Sequence, residues 1–307
     1  MKVIRSAAEL KPNGGRVCLA IGFFDGVHLG HQQIIRQTIA DARQHEALAL
    51  VVTFDQHPST IVAPARVPPL IYSLSQRLRA IGSIGSDALL LIHFDRAFSE
   101  QSGEAFIRGL ARDLGRIQSL CVGSNFTFGH KRGGNVALLK TLGVELKFAV
   151  HGLAAVSLDG KIVSSTRIRE TIRTGNLDAA GQMLGRPYSL AGTVVRGDQL
   201  GRQLGFPTAN LEVTGLLLPP GGVYTVHATV NGRSHRAVAN IGSRPTVNSV
   251  VPQTRVEAHL LDFEGDLYGQ ELELAFVEKL RDEKKFPSLP ALKEQIAQDI
   301  VEARLRF

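Results

Sequence analysis

The sequence predicts an α/β chain of two domains, in which a parallel-sheet domain is followed by a small antiparallel β-barrel. The 307 residues are more than a single domain usually contains. The first part alternates apolar runs with amphipathic helical patterns, which is typical of a parallel sheet. The last part consists of short alternating strands and tight turns, which is typical of a small barrel.

The first part contains five apolar runs separated by helical patterns. The predicted strands are 17–23, 47–54, 87–94, 117–123 and 144–150. The predicted helices are 31–46, 74–84, 102–114 with Ser102 as N-cap, and 136–142. Near-continuous apolar strands predict a sheet covered on both faces, whose ligands bind outside the carboxyl ends of the strands.

The second part changes to β-strands and turns from Tyr188 onward. The Asn231-Gly232 step between two alternating runs predicts a hairpin. A closing helix has one apolar face, made of Leu292, Ile296, Ile300 and Ala303. We place the domain boundary near Gly185–Pro187, so that residues 1–185 and 186–307 form separate domains.

Composition excludes several classes of protein. Apolar residues make up 44% of the chain and charged residues 21%, which is typical of a globular protein. There is no run of 18 apolar residues and no apolar signal segment, so we expect no membrane span and a cytoplasmic location. Cys18 and Cys121 are too few for a disulfide framework or a four-ligand zinc site, and we expect reduced thiols.

Charge is distributed unevenly along the chain. The net charge of +7 lies entirely in residues 1–185, while residues 186–307 are neutral overall. The first part is therefore suited to an anionic partner. No block of consecutive basic residues is present, so we expect no nucleic-acid partner.

GFFDGVHLGH, residues 22–31, lies between the first long strand and the first helix. Glycines permit a sharp turn and a close approach by a ligand. His28 and His31 are one helical turn apart at a helix start, where free N–H groups favour an anion. The pattern predicts a phosphate site in which imidazoles donate hydrogen bonds; the alternatives are two capping residues or two ligands of a metal.

Ordered motifs along nearly the whole chain resemble a known family. GFFDGVHLGH resembles the HxGH motif of the nucleotidyltransferase superfamily, and SSTRIRE (164–170) resembles its second motif. Further blocks resemble those of bacterial bifunctional riboflavin kinase/FMN adenylyltransferases, also called FAD synthetases. These blocks are FDQHP (54–58), VGSNFTFG (122–129), GRQLGFPTANL (201–211), ANIGSRPTV (239–247) and VEAHLLDFEGDLYG (256–269).

The resemblance implies a Rossmann-like nucleotidyltransferase domain that joins FMN to ATP, giving FAD and pyrophosphate. It implies that His28 and His31 bind the ATP phosphates and stabilise the transition state, with Ser165, Thr166 and Arg169 approaching from the other side. It also implies that Asp25 and Asn125 lie near the nucleotide and flavin and that His57 contacts the flavin phosphate. Further candidate binding residues in the same turn are Gly22, Phe23, Gly26 and Gly30.

Simpler structural roles remain open for several of these residues. Asp25 and Asn125 are also typical of Asx turns, and His57 is also typical of a solvated loop. Ser165 with Arg169 is also typical of an ordinary N-cap followed by a solvated arginine.

The chain departs from the family pattern at three positions. Gln56 replaces a usual proline in FDPHP, Val163 replaces an isoleucine, and Phe23 stands where asparagine is frequent. None of these changes removes a group with obvious chemistry, but Gln56 leaves open how the flavin-side loop closes.

The resemblance implies a riboflavin kinase in the second domain, although the chain contains no Walker A motif. Thr208 and Asn210 point the same way in an extended chain, which suits a Mg²⁺ ion carrying ATP phosphates; a local turn is the alternative. Glu257 shares a strand face with His259. The resemblance implies that Glu257 is the base that accepts the proton of the ribityl hydroxyl; the alternative is a solvated surface residue. Gly205 and Arg244 are further expected contacts in this domain.

The sequence hypothesis is therefore a two-step flavin enzyme with riboflavin, FMN and ATP as substrates. One alternative is another HxGH adenylyltransferase, of the pantetheine-phosphate or nicotinamide type, although such enzymes need no β-rich appendage. A second alternative is an RNA-binding protein of synthetase-like ancestry, against which stands the lack of an aromatic-rich binding sheet. The oligomeric state is left open.

Overall fold

The computed structural model describes residues 1–10, 15–244 and 253–307, which form two compact units. The first unit contains Met1–Pro69 and Leu74–Ser165, and the second contains Leu70–Ser73 and Thr166–Phe307. In the part of the chain so described, no helix is both long enough and apolar enough to cross a bilayer.

The first unit is built on a six-stranded parallel sheet and carries two short antiparallel hairpins. Its strands are β1 (Lys2–Ile4), β2 (Arg16–Ile21), β3 (Leu48–Phe54), β4 (Ala88–Ile92), β5 (Arg116–Gly123), β6 (Thr127–Phe128), β7 (Gly134–Asn135), β8 (Ala149–Leu153), β9 (Ser157–Leu158) and β10 (Lys161–Ile162). The sheet order is β1-β4-β3-β2-β5-β8, so the order reverses direction between β2 and β5. Ligands of such sheets bind at the carboxyl ends of the strands at this switch point. The predicted parallel α/β architecture is confirmed.

Helices cover both faces of this sheet. They are α1 (Leu29–Gln44), α2 (Ser59–Val62), α3 (Leu74–Gly82), α4 (Arg96–Ser99), α5 (Gly103–Leu114) and α6 (Val136–Leu146). Ile35 of α1 and Ile81 of α3 belong to one core cluster, and Ile107 of α5 and Leu139 of α6 belong to the other. Residues of β2 alternate between the two clusters, as expected for a strand buried on both sides.

Several predicted elements differ from the observed ones in their bounds, and two of these differences have a clear structural reason. The helix predicted from His31 begins at Leu29, because His28 occupies the N-cap position. The strand predicted at 144–150 is helical at its start, since α6 continues to Leu146 and the strand begins only at Ala149. Val144 is 84% exposed, so its apolar side chain does not mark a buried strand.

The two cysteines are buried free thiols in the first unit. Burial is the main reason that the pKa of Cys18 is raised and that the pKa of Cys121 is raised to about 12. Both thiols therefore stay protonated at neutral pH and have little nucleophilic character.

The second unit contains a closed antiparallel barrel, as predicted. Its helices are α7 (Ser165–Arg173), whose first residue belongs to the first unit, α8 (Leu177–Leu184), α9 (Leu200–Leu204) and α10 (Leu289–Arg304). Its strands are β11 (Ser189–Val195), β12 (Ala209–Glu212), β13 (Gly222–Val230), β14 (Arg233–Arg244), β15 (Gln253–Leu260) and β16 (Glu271–Arg281). They close in the order β11-β12-β15-β14-β13-β16. The predicted hairpin joins β13 to β14, with Asn231 (φ 49°) and Gly232 (φ 75°) in left-handed conformations.

The closing helix α10 packs against β13, β14 and β16. Ala303 of its predicted apolar face is fully buried. The same helix also buries Asp299, which forms a two-pronged ion pair with Arg281 at 2.7 and 2.8 Å. The sequence pattern did not predict this pair, because a charged residue on a helix is usually exposed.

A short segment from the first part of the sequence belongs to the second unit. The Leu70 N–H donates to the Gly215 carbonyl at 2.9 Å, and the Leu217 N–H donates to the Leu70 carbonyl at 2.7 Å. Ile71 and Tyr72, which follow, are both buried. This pairing is long-range in the sequence and left no local signal.

Candidate functional site

The loop between β2 and α1 is strained, and it contains most of the GFFDGVHLGH motif. Phe24 (φ 57°), Gly26 (φ 74°) and Val27 (φ 42°) have left-handed backbone conformations, which are unfavourable for Phe and Val. Packing explains Gly22, because a Cβ atom there would lie 2.9 Å from the Phe24 ring. Backbone strain of this kind is concentrated at functional sites, where the surrounding structure enforces it.

The two histidines of the motif lie together at the start of α1. Their rings stack with centroids 3.6 Å apart and an interplanar angle of 21°. His28 is the N-cap residue, and its Nδ1 accepts a hydrogen bond from the His31 N–H at 3.4 Å. A Cβ atom at Gly30 would lie 3.2 Å from the His28 ring, so glycine leaves room for this ring position. Capping, one of the alternatives for His28, is thus observed, and it fixes the ring over the first turn of the helix.

The surroundings of the pair keep His31 neutral. Its pKa is well below the usual value, mainly because the ring is buried and also because His28 and Arg77 disfavour a further positive charge. Nδ1 of His31 is buried and has no hydrogen-bond partner among the described residues. An orphaned N–H is rarer than an orphaned lone pair, so we assign the proton to Nε2. Because Nδ1 of His28 accepts a hydrogen bond, the donor nitrogen of that ring is Nε2.

A buried arginine supports this loop from α3. Arg77 is 2% exposed, and its guanidinium carbon lies 4.2 Å from the centre of the Phe23 ring. It donates to the Phe23 carbonyl at 3.0 Å and also to the Phe54 carbonyl. Burial lowers the pKa of Arg77 to about 10, although Asp25 and Asp55 act in the opposite direction. The side chain therefore remains charged at neutral pH.

The sequence analysis did not single out Arg77. A usable signal was present, because Arg77 shares a helix face with Leu74, Leu78 and Ile81, which pack in the core. A basic residue within such an apolar face needs a buried partner.

Six of the predicted residues line one pocket at the carboxyl end of β2. The pocket has a volume of about 260 Å³, and its other walls come from the end of β5 and from the segment after β8. The six residues are Gly22, Phe23, His28, Gly30, His31 and Asn125. Asp25 and Gly26 are buried and do not line the pocket, so their contribution is to the loop that forms it.

A second, larger pocket of about 790 Å³ shares Ile21, Phe23 and Phe126 with the first. His57 lines it, and its ring meets the edge of Phe23 at 4.8 Å. Aromatic walls are provided by Phe23, Phe54, Phe94, Phe98, Phe106, Phe126 and Phe128, and basic groups by Arg96, His130, Lys131 and Arg132. The pocket is therefore suited to a planar aromatic ligand that carries negative charge.

Gln56, one of the departures from the family pattern, has a structural role beside this second pocket. Its side-chain amide donates to the Phe94 carbonyl at 2.7 Å and accepts from the Thr60 hydroxyl at 3.1 Å. The preceding Asp55 also accepts from the Phe94 N–H at 3.1 Å and pairs with His93 at 2.6 Å. The loop after β3 is thus tied to the loop after β4, and Gln56 supplies a bond that proline could not.

The second motif begins α7, as the sequence predicted for a helix start. The Ser165 hydroxyl donates to the Asp25 carbonyl at 3.2 Å, which links this motif to the strained loop. Thr166 and Arg169 follow in the first turns of α7 and belong to the second unit. Arg169 is only 8% exposed, so it is not the solvated arginine of the simpler alternative.

Three adjacent barrel strands bring polar side chains together around Glu257. Glu257 of β15 is paired with Asn210 of β12 on one side and with Asn240 of β14 on the other. Directly opposite residues share a sheet face, so all three side chains lie on the outer side. Glu257 is half-buried, whereas its neighbours Val256 and Ala258 are fully buried. The predicted division of faces along this strand is confirmed.

Glycines make room for the two predicted metal ligands. A Cβ atom at Gly197 would lie 2.4 Å from the Asn210 amide nitrogen, and one at Gly201 would lie 3.1 Å from the Thr208 hydroxyl. Thr208 and Asn210 are both half-buried, and Ala209 between them is buried. The alternation expected of an extended chain is therefore observed.

A third pocket, of about 560 Å³, lies in the second unit, and Thr208 and Arg202 line it. Further walls come from the segment 263–268 and from the apolar residues Ala209 and Ala258. Asn210 and Glu257 do not line this pocket. These two residues are paired on one face of the sheet, whereas Thr208 lines the pocket without them.

Gly205 and Arg244 are the remaining predicted residues of this unit. Gly205 ends α9 in a left-handed conformation (φ 92°), which accounts for a glycine at this position. Arg244 is the last residue of β14, and its side chain lies outside the described part of the structure.

Comparisons with known proteins divide the chain between two families of domain. A model described as riboflavin kinase matches residues 184–307, and a model described as FAD synthetase matches residues 11–167.

Whole-chain relatives combine both domains. A bifunctional riboflavin kinase/FMN adenylyltransferase of Pseudomonas fluorescens is 38% identical over 304 residues, covering 99% of this chain and 97% of that protein. The protein of the same description from Escherichia coli K12 is 38% identical over 310 residues, covering 100% and 98%. A crystal structure of a macrolide-efflux protein from Streptococcus pneumoniae is 28% identical, with a TM-score of 0.81 over 98% of each chain.

Proposed function

The chain belongs to the family of bifunctional riboflavin kinase/FMN adenylyltransferases, and from this premise we propose that it makes FAD from riboflavin in two ATP-dependent steps. The first step phosphorylates riboflavin to FMN, and the second joins FMN to the adenylyl group of ATP. We assign the second step to residues 1–185 and the first step to residues 186–307.

The first pocket is the proposed site of the ATP phosphates in the adenylyl transfer. An oxygen of the FMN phosphate attacks the α-phosphorus, the bond to the bridging oxygen breaks, and pyrophosphate leaves. Positioning and charge stabilisation dominate such a reaction. His28 and His31 donate from Nε2 to phosphate oxygens, beside the N-terminal N–H groups of α1.

Neutrality of His31 is compatible with this role, because a neutral imidazole still has one N–H that can donate a hydrogen bond. His31, whose pKa is lowered, supplies a hydrogen-bond donor near the phosphates. The buried Arg77 supplies a fixed positive charge near them. We propose that Ser165, Thr166, Arg169 and Asn125 complete the phosphate and nucleotide contacts.

The second pocket is the proposed site of the flavin. Its aromatic walls suit an isoalloxazine ring, and its basic rim and His57 suit the phosphate ester. The two pockets share Phe23, so substrates bound in both are neighbours.

Glu257 is the proposed base of the kinase step. Its carboxylate accepts the proton of the ribityl 5′-hydroxyl as that oxygen attacks the γ-phosphorus, and ADP leaves. Its half-buried position between Asn210 and Asn240 fixes the side chain within a regular ladder. We propose that Arg244 and Gly205 contact substrates in this unit.

The side chains near Glu257 fit a Mg²⁺ ion. Thr208 and Asn210 offer a hydroxyl and an amide oxygen on the same side of the chain, backed by the glycines at 197 and 201. A hard cation with few protein oxygens and several waters is what such a donor set favours. When bound, Mg²⁺ neutralises charge on the ATP phosphates.

The observation that carries the proposal is the assembly of the HxGH histidines, the buried Arg77 and two adjoining pockets at the switch point of the sheet. The test is chromatography of a reaction containing the protein, riboflavin, ATP and Mg²⁺. We expect FMN to appear first and FAD to follow, and we expect EDTA to stop riboflavin phosphorylation until Mg²⁺ is restored. Absence of both products under these conditions would refute the proposal.

A further inference from the structure

Phe23 lies at the boundary between the two pockets proposed to hold the reacting substrates. Phe23 lines both the 260 Å³ pocket of the two histidines and the 790 Å³ aromatic pocket. It is also one of the positions at which the chain departs from the pattern of the family it resembles. Phe23 is therefore located where the two pockets meet.

The ring is held from two directions. The guanidinium of Arg77 lies over its face at 4.2 Å, and the His57 ring meets it edge-on at 4.8 Å. Arg77 is 2% exposed, so this cation–π contact is shielded from water, where such contacts are strongest. The ring cannot leave the boundary without giving up both contacts.

The backbone of Phe23 is held as firmly as its side chain. Its carbonyl accepts from the Thr53 hydroxyl at 3.1 Å and from Arg77 at 3.0 Å. The next residue, Phe24, has a left-handed backbone conformation and is fully buried. The position of the phenyl ring is thus fixed by β3, by α3 and by the strained loop.

We propose that Phe23 is the partition between the nucleotide and flavin pockets and that it sets the approach of the FMN phosphate to the α-phosphorus of ATP. The inference rests on the proposed function of the two pockets. One edge of the ring limits how far the flavin can slide toward the histidines, and the other closes the nucleotide pocket. Arg77 is the positioning residue that keeps the ring in this orientation.

In this chain Phe23 lies between the two pockets, so removal of its ring would join them into one cavity in which either substrate could occupy several positions. In-line transfer depends on the reacting atoms being held within a narrow range, and a misplacement of about 1 Å can cost about 100-fold in rate. Loss of the ring is therefore expected to reduce turnover more than binding.

The experiment compares Phe23→Ala, Phe23→Leu and Phe23→Tyr in the full-length protein. FAD formation from supplied FMN and ATP is measured by chromatography, and kcat and both KM values are determined. We expect Phe23→Ala to lower kcat at least about tenfold, with smaller changes in either KM. Phe23→Leu is expected to be intermediate, and Phe23→Tyr, which keeps the ring, to remain within about twofold of the original rate.

Riboflavin phosphorylation by the same preparations is the internal control, because it is assigned to the other unit. We expect all three variants to keep it, which also reports that the chain is folded. Should Phe23→Ala fail to fold, the Leu and Tyr variants decide the question, because the partition requires Tyr to outperform Leu. Equal FAD formation by the original protein and by Phe23→Leu would overturn the inference, whereas absence of FAD from the original protein would instead refute the proposed function.

Discussion

The two proposed sites are constructed in different ways. In the first unit, Phe23, His28 and His31 lie within a few residues of one another, on a loop with left-handed backbone conformations at Phe24 and Val27 and on the first turn of α1 that follows it. In the second unit, the polar groups around Glu257 come from three strands and are aligned by a regular antiparallel ladder. The first site depends on an unusual backbone, and the second depends on strand register.

This difference predicts different sensitivities to mutation. A loop site is disturbed by small changes in volume next to the strained backbone, even where no reacting group is removed. A ladder site tolerates such changes, because neighbouring strands fix the backbone, but it loses activity when one polar side chain is replaced. Each of the following predictions tests one side of this comparison.

The largest expected effect is that of Glu257→Gln on riboflavin phosphorylation. The substitution keeps the shape of the side chain and removes its ability to accept the proton, and general-base catalysis contributes roughly 10²–10⁴-fold. We expect a loss in this range, measured as FMN formed from riboflavin, with conversion of supplied FMN to FAD unchanged. Glu294→Gln, an exposed position on α10, is the matched control and should leave both steps intact. Loss of both steps in a folded Glu257→Gln protein would contradict the division of labour.

Replacing His28 should have the next largest effect, this time on FAD formation. Removal of one preorganised donor to a developing negative charge costs about 10²–10³-fold in comparable sites. We expect His28→Ala to reduce FAD formation from FMN by this factor and to leave riboflavin phosphorylation unchanged. His45→Ala, at the opposite end of the same helix, controls for a general effect on α1. A His28→Ala protein with normal FAD formation would show that the ring serves only as a cap.

The same difference explains how much could be predicted from the sequence. The loop site was visible because its glycines and histidines are adjacent in the chain, and the alternation along β15 placed Glu257 on the outer face. The pairing of Glu257 with Asn210 and Asn240 was not visible, because register between distant strands leaves no local pattern. Arg77 was missed for a related reason, since its partners are backbone carbonyls that no side-chain motif records.

A smaller effect is expected for Gly30→Ala, which should lower FAD formation without lowering the free energy of unfolding. Alanine favours the helix by up to about 1 kcal/mol over glycine, so the free energy of unfolding should rise or stay equal. The new Cβ atom would lie 3.2 Å from the His28 ring and push it by a few tenths of an ångström, so FAD formation should fall about tenfold.

The control for this substitution is Gly109→Ala in α5, where an added Cβ atom has no neighbour within 4 Å. It should give the gain in stability without the loss of activity, as measured by urea unfolding and by chromatography of FAD. If Gly30→Ala behaved like Gly109→Ala in both assays, the ring position of His28 would not matter for the reaction.

The smallest effect concerns the pH dependence of stability in the first unit, where two histidines act in opposite directions. The pKa of His31 is lowered, chiefly by burial, so the unfolded chain takes up a proton below about pH 6.5 that the folded chain does not. The stability that neutral His31 contributes above this pH is lost as the pH falls. The pKa of His93 is raised, chiefly by its hydrogen bond to Asp55, so its contribution is present below about pH 6.5 and is lost as the pH rises through the higher folded value.

Replacing each histidine by glutamine should therefore change the pH profile in opposite ways. His31→Gln removes the acid penalty, so stability should fall less between pH 7.5 and 5.5 than in the original protein. His93→Gln removes a group that stabilises at acid pH, so stability should fall more over the same interval. Hydrogen exchange of the β2 amides at the two pH values reports the opening of this unit. Because the His31 ring is buried and His93 lies in an exposed ion pair, the larger of the two changes should belong to His31. The reverse order would place the main electrostatic cost outside the proposed site.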